Sequence, residues 1–367
     1  MTYHHSWVEL SRRNLVYNVK AARKLLLPKT KLYAVIKSNA YGHGLKEIIS
    51  LSARYVDGFC FAGTEEAFFA RSLTKKKIIT LSYFATLNKN HLLKLIKNRV
   101  ELPIYNFATL KIFQKLQKPV KVHIKLDTGT TRIGFRTHEI PKLISALRST
   151  PFLHVVGIYS HFAEAEKPKS LFTGKQRDQF QETSQTIISS LGLNKTIRHI
   201  ACSAALTKDP GTHFEAVRLG IHLYGLSGLP GGFKPLKPVL EWKTRLIQVK
   251  KVPKGATIGY NRSYRTKKAT RIGIVPVGYA DGFPRNLSNK GYVLISGKKA
   301  AIRGRICMNM LMVDLSKIPS AKEFDEVTLI GHSHRSYIGT DILATQSGTI
   351  NYEITTRINP YLDRKIV

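Results

Sequence analysis

The chain has 367 residues and a mass of 41.3 kDa, which is more than one ordinary hydrophobic core organises and predicts two domains. Apolar residues make up 43% and charged residues 22%, so the chain can bury a full core and a disordered protein is excluded. The 59 Lys and Arg exceed the 23 Asp and Glu, and the net charge is +36. Because the cations are spread along the whole chain, we expect no specific nucleic-acid partner, only salt-dependent adhesion to polyanions.

The first residues lack the apolar segment of a secretory signal, and no window reaches the ~18 apolar residues of a membrane span. Cys60, Cys202 and Cys307 are too few and too widely spaced for a disulfide framework or a C-x-x-C pair. We therefore expect a cytoplasmic protein with reduced cysteines, without membrane insertion and without a metal site.

Alternating β-rich and helical segments predict a (β/α)₈ barrel of the TIM type in residues 11–232. The helical stretches include 45–54 and 90–97. Eight candidate strands fall at 31–37, 58–62, 77–82, 100–104, 120–126, 155–159, 198–202 and 216–219.

A stretch rich in Gly and Pro follows Tyr224 and predicts a linker, with the domain boundary near Phe233. Residues 233–367 predict a mostly-β domain, with strands at 240–252, 270–277, 291–295, 299–306, 311–315 and 326–330. The strand-like residues 7–10 precede the first helix, so we expect residues 1–10 to pair with this second domain.

The segment AVIKSNAYGHG (34–44) places Lys37 at the end of the first barrel strand. Working residues of such barrels lie at the C-terminal ends of strands, and an amine that leaves an apolar strand is partly desolvated. Its lowered pKa makes it available as a base or as a Schiff-base nucleophile. A solvated loop lysine beside glycines remains the alternative from the residues alone.

Eight segments resemble the motifs of the alanine racemase family, in the family's order and along nearly the full chain. They are AVIKSNAYGHG (34–44), KLDTGTTRIGF (125–135), GIYSHFA (157–163), HIACSA (199–204), VRLGIHLYG (217–225), VPVGYADGFPR (275–285), GRICMNM (304–310) and TINYE (349–353). The resemblance implies a pyridoxal 5'-phosphate (PLP) enzyme that interconverts L-alanine and D-alanine, supplies D-alanine for peptidoglycan and works as a homodimer with shared active sites.

Racemisation removes a proton from one face of the α-carbon and delivers one to the other, so it needs two bases on opposite sides. The resemblance implies that these bases are Lys37, which also carries the cofactor, and Tyr260 of the partner subunit. Taken alone, Tyr260 fits a half-buried strand tyrosine better than a base.

Arg218 matches the family's arginine at the cofactor ring nitrogen, where a permanent cation that only donates keeps that nitrogen unprotonated. His161 is implied to lie beside it, with a core histidine as the alternative. For the phosphate, the resemblance implies Tyr41, Ser203, Tyr352 and the backbone of Gly220 and Ile221.

For the substrate carboxylate, the resemblance implies Arg132 and the backbone near Met308 of the other subunit. Lys125 matches a lysine that some members carry as a carbamate, which would pin Arg132 through a charge-assisted bond. An entry corridor that limits substrate size is implied for Tyr279, Asp281, Arg285, Arg305 and Tyr352.

The sequence departs from the family pattern at Asn309, Asn261, Cys202 and Tyr361, where the family usually has Asp, Gly, Asn and Arg. These changes leave Lys37 untouched but could alter entry electrostatics, dimer contacts or substrate range. A serine or broad-specificity racemase is therefore an alternative on the same fold. A nonspecific polyanion-binding protein on an inactive scaffold is the alternative from another class, and Arg218 argues against an amino-acid decarboxylase.

Overall fold

The computed structural model describes residues 5–83, 88–167, 170–228 and 236–367. It divides into two compact units. The barrel unit consists of Leu15–Ala40 and Ile48–Lys237, and the β unit consists of the chain up to Asn14 together with Tyr41–Glu47 and Pro238–Val367. The domain boundary predicted near residue 233 lies outside the described residues.

The strands, in chain order, are β1 Ser6–Leu10, β2 Lys31–Val35, β3 Gly58–Phe61, β4 Lys77–Thr80, β5 Val100–Ile104, β6 Val120–Lys125, β7 Leu153–Tyr159, β8 Ile197–His199, β9 Ala216–Leu219, β10 Leu240–Arg245, β11 Gln248–Val252, β12 Thr257–Ile258, β13 Tyr264–Arg265, β14 Thr270–Val275, β15 Tyr292–Ile295, β16 Lys298–Ile302, β17 Leu311–Asp314, β18 Glu326–Ser333, β19 Ser336–Ile338 and β20 Asp363–Ile366. The helical segments are α1 Arg12–Lys24, α2 Lys37–Tyr41, α3 Leu45–Ser52, α4 Thr64–Leu73, α5 Lys89–Lys97, α6 Phe107–Leu116, α7 Ile140–Arg148, α8 Leu171–Leu191, α9 Ser203–Lys208, α10 Thr340–Ser347 and α11 Asn351–Thr356.

The barrel unit is built on eight parallel strands in the order β8-β7-β6-β5-β4-β3-β2-β9. The two end strands approach each other where the amide of Arg218 in β9 donates to the carbonyl of Ala201, just after β8, at 3.1 Å. Helices cover the outside, so strands such as β3 and β5 are buried along their whole length. This near-closed sheet confirms the predicted barrel class.

The β unit contains a sheet in the order β11-β14-β17-β16-β15-β18-β10-β1-β20, with β19 paired to β18 and a separate hairpin of β12 and β13. The N-terminal strand β1 pairs antiparallel with β10, where Val8 lies opposite Trp242, and parallel with β20. The mostly-β class of the second unit is likewise confirmed. Across the described residues, no helix is long and apolar enough to cross a membrane.

Several predicted strands, such as 77–82, 198–202 and 299–306, run past the ends of the observed ones. Two further differences have a physical reason. The segment predicted at 31–37 ends at Val35, because the backbone turns left-handed from Ser38 onward. The segment predicted at 240–252 is two strands, β10 and β11. Between them the amides of Leu246 and Ile247 donate to Asp325 and Ile274, so the chain changes partner strands at this point.

Candidate active site

The predicted site residues of the barrel unit meet at the C-terminal ends of its strands. Lys37 follows β2, and Gly220 follows β9, the strand that pairs with β2 through Ala34 and Leu219. Lys125 ends β6, His161 follows β7 and Ser203 follows β8, while Arg218 lies on β9 itself. Parallel strands present their carboxyl ends on one face, where barrel enzymes place their chemistry.

Lys37 opens a left-handed turn, because Ser38, Asn39, Ala40 and Tyr41 all have φ between 50° and 55°. Non-glycine residues adopt this region rarely and at a cost of roughly 1–2 kcal/mol each. The carboxylate of Glu66 accepts hydrogen bonds from the amides of Ser38 at 3.1 Å and Asn39 at 2.7 Å. Glu66 thus clamps the strained turn that presents Lys37.

The Lys37 side chain reaches solvent, but the surrounding protein still desolvates its ammonium group. This desolvation lowers the pKa of Lys37 below its ordinary value, and the charge of Arg132 lowers it further, while Glu66 opposes the shift. The neutral amine needed by a nucleophile or base is therefore favoured at this position.

Arg218 is 4% exposed and its guanidinium makes five hydrogen bonds through its two terminal nitrogens. The acceptors are neutral: the Nδ1 and carbonyl oxygen of His199, the carbonyls of Ser160 and Ile200, and Nδ1 of His161 at 3.4 Å. None of these partners is a carboxylate. Arg218 is thus a buried, donor-only cation rather than a solvated strand-end residue.

Burial and the cations around them lower the pKa values of two further groups. The pKa of His161 is held well below its ordinary range by burial first and then by Arg218, Lys125 and Arg132. Burial is the main cause that lowers the pKa of Lys125 to about 7, and the charge of Arg218 is the next cause, while Asp127 opposes the shift. The Lys125 ammonium donates to the carbonyl of Leu126 at 3.0 Å.

Backbone donors converge beside Ser203. The amide of Gly220 donates to the Ser203 hydroxyl at 2.9 Å, and the amide of His222 reaches the same oxygen at 3.4 Å. Between them, Ile221 begins a short 3₁₀ turn that ends at Tyr224. Main-chain N–H groups that meet at one point are the donors that suit a phosphate dianion.

Arg132 lies in an exposed loop that one carboxylate organises. Asp127 accepts from the amides of Gly129 and Thr131 at 3.0 Å and from the amide of Arg132 at 3.1 Å. These hydrogen bonds hold the pKa of Asp127 below its ordinary value against the opposing effect of burial. The loop therefore presents Arg132 from a fixed backbone.

Two tyrosines of the β unit lie together. Tyr41 is 8% exposed and its ring centroid is 6.1 Å from that of Tyr352. Next to Tyr41, Gly42 has φ +83°, and a Cβ there would overlap the carbonyl of Thr355. Arg364 donates from Nη2 to the Gly42 carbonyl at 2.8 Å, so this turn is fixed from the C-terminal strand.

Tyr260 is 71% exposed and stands in a turn built on unusual backbone angles. Gly259 has φ +74° and Asn261 has φ +59°. Asn is among the few non-glycine residues that visit the left-handed region readily, which explains how Asn261 replaces the family's usual Gly. A Cβ on Gly259 would meet the backbone of Arg305 at 2.8 Å, so the Tyr260 turn lies against the Arg305 segment.

The remaining predicted residues of the β unit flank two joined loops. The amides of Tyr279 and Ala280 donate to the carbonyls of Cys307 and Met308, at 3.1 and 2.9 Å. Asp281 accepts from the amide of Gly278, and Arg285 is exposed. The large side chains exposed in this unit include Tyr260, Tyr279, Met308, Met310, Ile350 and Tyr361.

Of the other departures, Asn309 and Tyr361 are exposed, and Tyr361 reaches 81%. Cys202 precedes α9, where burial raises the pKa of its thiol. No contact in the structure explains why these three positions differ from the family pattern.

Sequence reasoning missed Glu66, Asp127 and His199, which hydrogen-bond to candidate site residues or to the backbone beside them. It also missed Glu101 and His123, which form a hydrogen-bonded pair next to His199. Asp127 and His199 lie inside the motifs that resemble the family. Glu101 and His123 are fully or nearly fully buried on β5 and β6, and nothing in a buried strand distinguishes such residues before the register is known.

The fold is that of a barrel enzyme with a mostly-β second unit, and its candidate site residues include a lysine at the end of a barrel strand. The alanine racemase N-terminal domain model matches residues 10–228, and the alanine racemase C-terminal domain model matches residues 239–366. The chain belongs to the alanine racemase family, and its membership supports racemisation of alanine.

The alanine racemase of Leptospira interrogans is 35% identical over 99% of this chain and 96% of its own length. That of Methanococcus maripaludis is 34% identical over 99% of both chains. Among solved structures, the alanine racemase of Streptomyces lavendulae has a TM-score of 0.92 at 30% identity and covers 100% of this chain and 98% of its own. The Bacillus anthracis alanine racemase with bound L-Ala-P has a TM-score of 0.92 at 32% identity and covers 100% and 96%.

Proposed function

We propose that the protein catalyses PLP-dependent interconversion of L-alanine and D-alanine by a two-base mechanism. Lys37 is one base, and Tyr260 from a second copy of the chain is the other. The D-alanine serves peptidoglycan synthesis in the cytoplasm. The observation that carries the proposal is the buried Arg218 cation, bonded only to neutral acceptors, on the strand that pairs with β2, after which Lys37 follows.

The barrel unit offers the kinds of group that PLP requires. Lys37 supplies an amine whose lowered pKa suits condensation with an aldehyde. The amides of Gly220 and His222, which converge on Ser203, supply donors for a phosphate. We assign Tyr41, Tyr352 and the backbone of Ile221 to the same phosphate. When bound, PLP withdraws electrons from the α-carbon and makes its proton removable.

Arg218 then sets which reaction follows. A guanidinium keeps its protons under ordinary conditions, so Arg218 would donate a hydrogen bond to the ring nitrogen of the cofactor without protonating it. A carboxylate partner would instead favour a protonated ring and longer-lived carbanions. Arg218 with His161 beside it therefore favours return of the proton to the α-carbon over decarboxylation or transamination.

The two bases must approach the α-carbon from opposite faces. Lys37 is fixed by the Glu66 clamp and exchanges a proton at Nζ on one face. The exposed Tyr260 phenol is available to a second chain and exchanges a proton at its hydroxyl oxygen on the other face. Each active site then needs two copies of the chain.

We assign the substrate carboxylate to Arg132 and to the backbone near Met308 of the second copy. Arg132 offers two parallel N–H donors, the geometry that best matches a carboxylate. Lys125 has a neutral amine available near pH 7, which is the form that a carbamate requires, and a carbamate there would bond Arg132. Tyr279, Asp281, Arg285 and Arg305 would line the entry and restrict the substrate side chain to a methyl group.

A homodimer is supported by the exposed aromatic and aliphatic side chains of the β unit. Tyr260, Met308 and Tyr361 expose 71%, 56% and 81% of their surfaces. Exposed groups of this size commonly mark an interface. Burial of Tyr260 and Met308 against a second chain would complete both sites at once.

The test is a racemisation assay with the PLP-loaded protein and a panel of L-amino acids that includes alanine, serine and valine. We expect alanine to be converted most efficiently. Comparable conversion of serine would favour the broad-specificity alternative. Absence of any racemisation, together with salt-sensitive binding to heparin and nucleic acid alike, would favour the polyanion-binding alternative.

A further inference from the structure

A continuous hydrogen-bond chain runs through the interior of the barrel unit and ends at Arg218. It passes from Lys77 to Glu101 at 3.0 Å and from Glu101 to Nε2 of His123 at 2.8 Å. Nδ1 of His123 lies 3.0 Å from Nε2 of His199, whose Nδ1 lies 2.7 Å from Nη1 of Arg218. We call these five residues the buried hydrogen-bond chain.

The chemistry of its two ends fixes the direction of every bond. Arg218 can only donate, so Nδ1 of His199 accepts and its proton sits on Nε2. That proton is donated to Nδ1 of His123, whose own proton must then sit on Nε2 and be donated to Glu101. The ammonium of Lys77, which also only donates, completes the sequence at the other carboxylate oxygen.

The buried hydrogen-bond chain lies in the interior of the barrel unit, not on its surface. Both histidines are 0% exposed, and Glu101 and Arg218 are each 4% exposed. Burial first, and then the charge of Arg218, keep the pKa of His199 well below its ordinary value, so its ring is neutral. Burial would raise the pKa of Glu101, but His123 and Lys77 hold it below its ordinary value, so Glu101 is an anion.

A glycine in the neighbouring strand leaves space for the ring of His123, a residue of the buried hydrogen-bond chain. His123 lies opposite Gly157 of β7, at a shift in the register of β6. A Cβ at Gly157 would overlap the His123 ring at Nδ1 and Cε1. Strand β7 thus has a glycine at the position that the His123 ring occupies. The ring of His199 is held separately, because the Tyr159 ring stacks on it at 5.2 Å with the planes 4° apart.

We propose that Glu101 and His123 are positioning residues of the racemase reaction, which act through His199 to hold the Arg218 guanidinium as an oriented donor. The proposal rests on the proposed function. Glu101 is the only carboxylate buried below a tenth of its surface among the residues that the structure describes. One of its oxygens pairs with Lys77 and the other accepts from His123, and two imidazoles separate it from Arg218, so no anion contacts the guanidinium itself.

The decisive variant is Glu101→Gln. Lys77 requires an oxygen, so the amide turns its NH₂ group toward His123. Nε2 of His123 must then accept, and its proton moves to Nδ1. The proton of His199 is displaced in the same way to Nδ1, where it faces the N–H of Arg218. The two hydrogen bonds of His123, to residue 101 and to His199, are reversed, the bond from Lys77 keeps its direction, and Arg218 loses an acceptor.

The tautomers are measured by ¹⁵N NMR of histidine-labelled, PLP-loaded protein. We expect His123 and His199 to carry their protons on Nε2 in the parent and on Nδ1 in Glu101→Gln. The variant should retain bound cofactor, with kcat lower by about 10- to 100-fold, the equivalent of one hydrogen bond to a charged group. Glu65→Gln, on the exposed side of α4, is the matched control and should leave tautomers and kcat unchanged.

Removing the Lys77 ammonium, which fixes the orientation of the amide introduced at position 101, should restore activity to the Glu101→Gln variant. In Lys77→Met/Glu101→Gln the amide is free to rotate its oxygen toward His123, so the parent tautomers and most of the lost kcat should return. A purely structural role of Glu101 predicts no such rescue. Gly157→Ala, which displaces the His123 ring while Glu101 stays intact, should lower kcat as Glu101→Gln does.

Protons on Nδ1 of His199 in the parent protein would overturn the proposal without any variant. So would a Glu101→Gln protein that racemises alanine at the parent rate, or a double variant that is no better than Glu101→Gln. If the parent itself fails to racemise alanine, the proposed function falls, and the positioning role falls with it. If the parent histidines then still carry their protons on Nε2, this result would establish only the donor and acceptor directions within the buried hydrogen-bond chain.

Discussion

Replacing Glu66 should release the turn that presents Lys37. Four successive residues at left-handed φ angles cost roughly 1–2 kcal/mol each, or about 4–8 kcal/mol together, and Asn39 lies at the low end of this range. Each of the two hydrogen bonds from a backbone amide to the carboxylate would offset about 1.5–3 kcal/mol of this strain if it were buried. Because Glu66 is partly exposed, we discount this to about 2 kcal/mol for the pair.

We therefore expect Glu66→Ala to lower the free energy of unfolding by ~2 kcal/mol and to loosen the turn. Glu66→Gln should have a smaller effect, because its amide oxygen can still accept one of the two N–H groups. The assays are thermal unfolding of the cofactor-free protein and the rate at which borohydride traps PLP on Lys37. Trapping should be slower in Glu66→Ala and intermediate in Glu66→Gln.

Glu65 provides the matched control, since it is an exposed neighbour on the same helix. A Glu65→Ala variant should unfold and trap PLP as the parent does. If Glu66→Ala keeps both the parent melting temperature and the parent trapping rate, the turn is held by other contacts and the clamp has no energetic role.

Three further outcomes are expected. Lys37→Ala should lose borohydride-reducible PLP, because the amine that condenses with the aldehyde is gone, and covalently reduced cofactor in that variant would contradict the assignment. Mixed Lys37→Ala and Tyr260→Phe chains, each inactive alone, should regain activity, since one site of the mixed dimer has both bases; verified exchange of subunits with no activity would indicate sites within single chains. Below pH 7, Lys125→Met should have a larger free energy of unfolding than the parent, because the parent must bury the Lys125 ammonium. Between pH 7 and pH 10.5 the unfolded parent binds a proton at Lys125 that the folded parent does not, so the parent gains stability as the pH rises and the difference disappears towards pH 10.5. Denaturation of both proteins at pH 6 and pH 10 measures this difference, and an equal difference at the two pH values would refute the lowered pKa of Lys125.

The strand pattern of the barrel could be predicted because parallel strands under helices are continuous apolar runs between turn signals. Segments such as 100–104 and 216–219 coincide with β5 and β9. The end of β2 could not be predicted, since the left-handed turn depends on Glu66, which is far along the chain. The break between β10 and β11 also depends on tertiary partners, the backbones of Asp325 and Ile274.

The candidate site divides in the same way. Lys37 could be proposed from the sequence because a strand-end lysine beside glycines is a local pattern and its segment resembles a family motif. Glu101, His123 and His199 lie on three different strands, and only the register of the barrel brings them into one line. A buried histidine in a strand has the same local signature whether it fills space or carries a hydrogen bond, so geometry had to decide.

The buried charges of the barrel unit link these findings. Among the described residues, the Asp, Glu, Lys and Arg side chains with less than a tenth of their surface exposed are Glu101, Lys125 and Arg218. With Lys125 protonated, this interior holds two cations and one anion, and burial makes an uncompensated charge expensive. Loss of the Lys125 proton, with its pKa lowered to about 7, removes one of these two cations. Burial and the fixed charge of Arg218 therefore favour a neutral amine at Lys125, the form that can react with carbon dioxide.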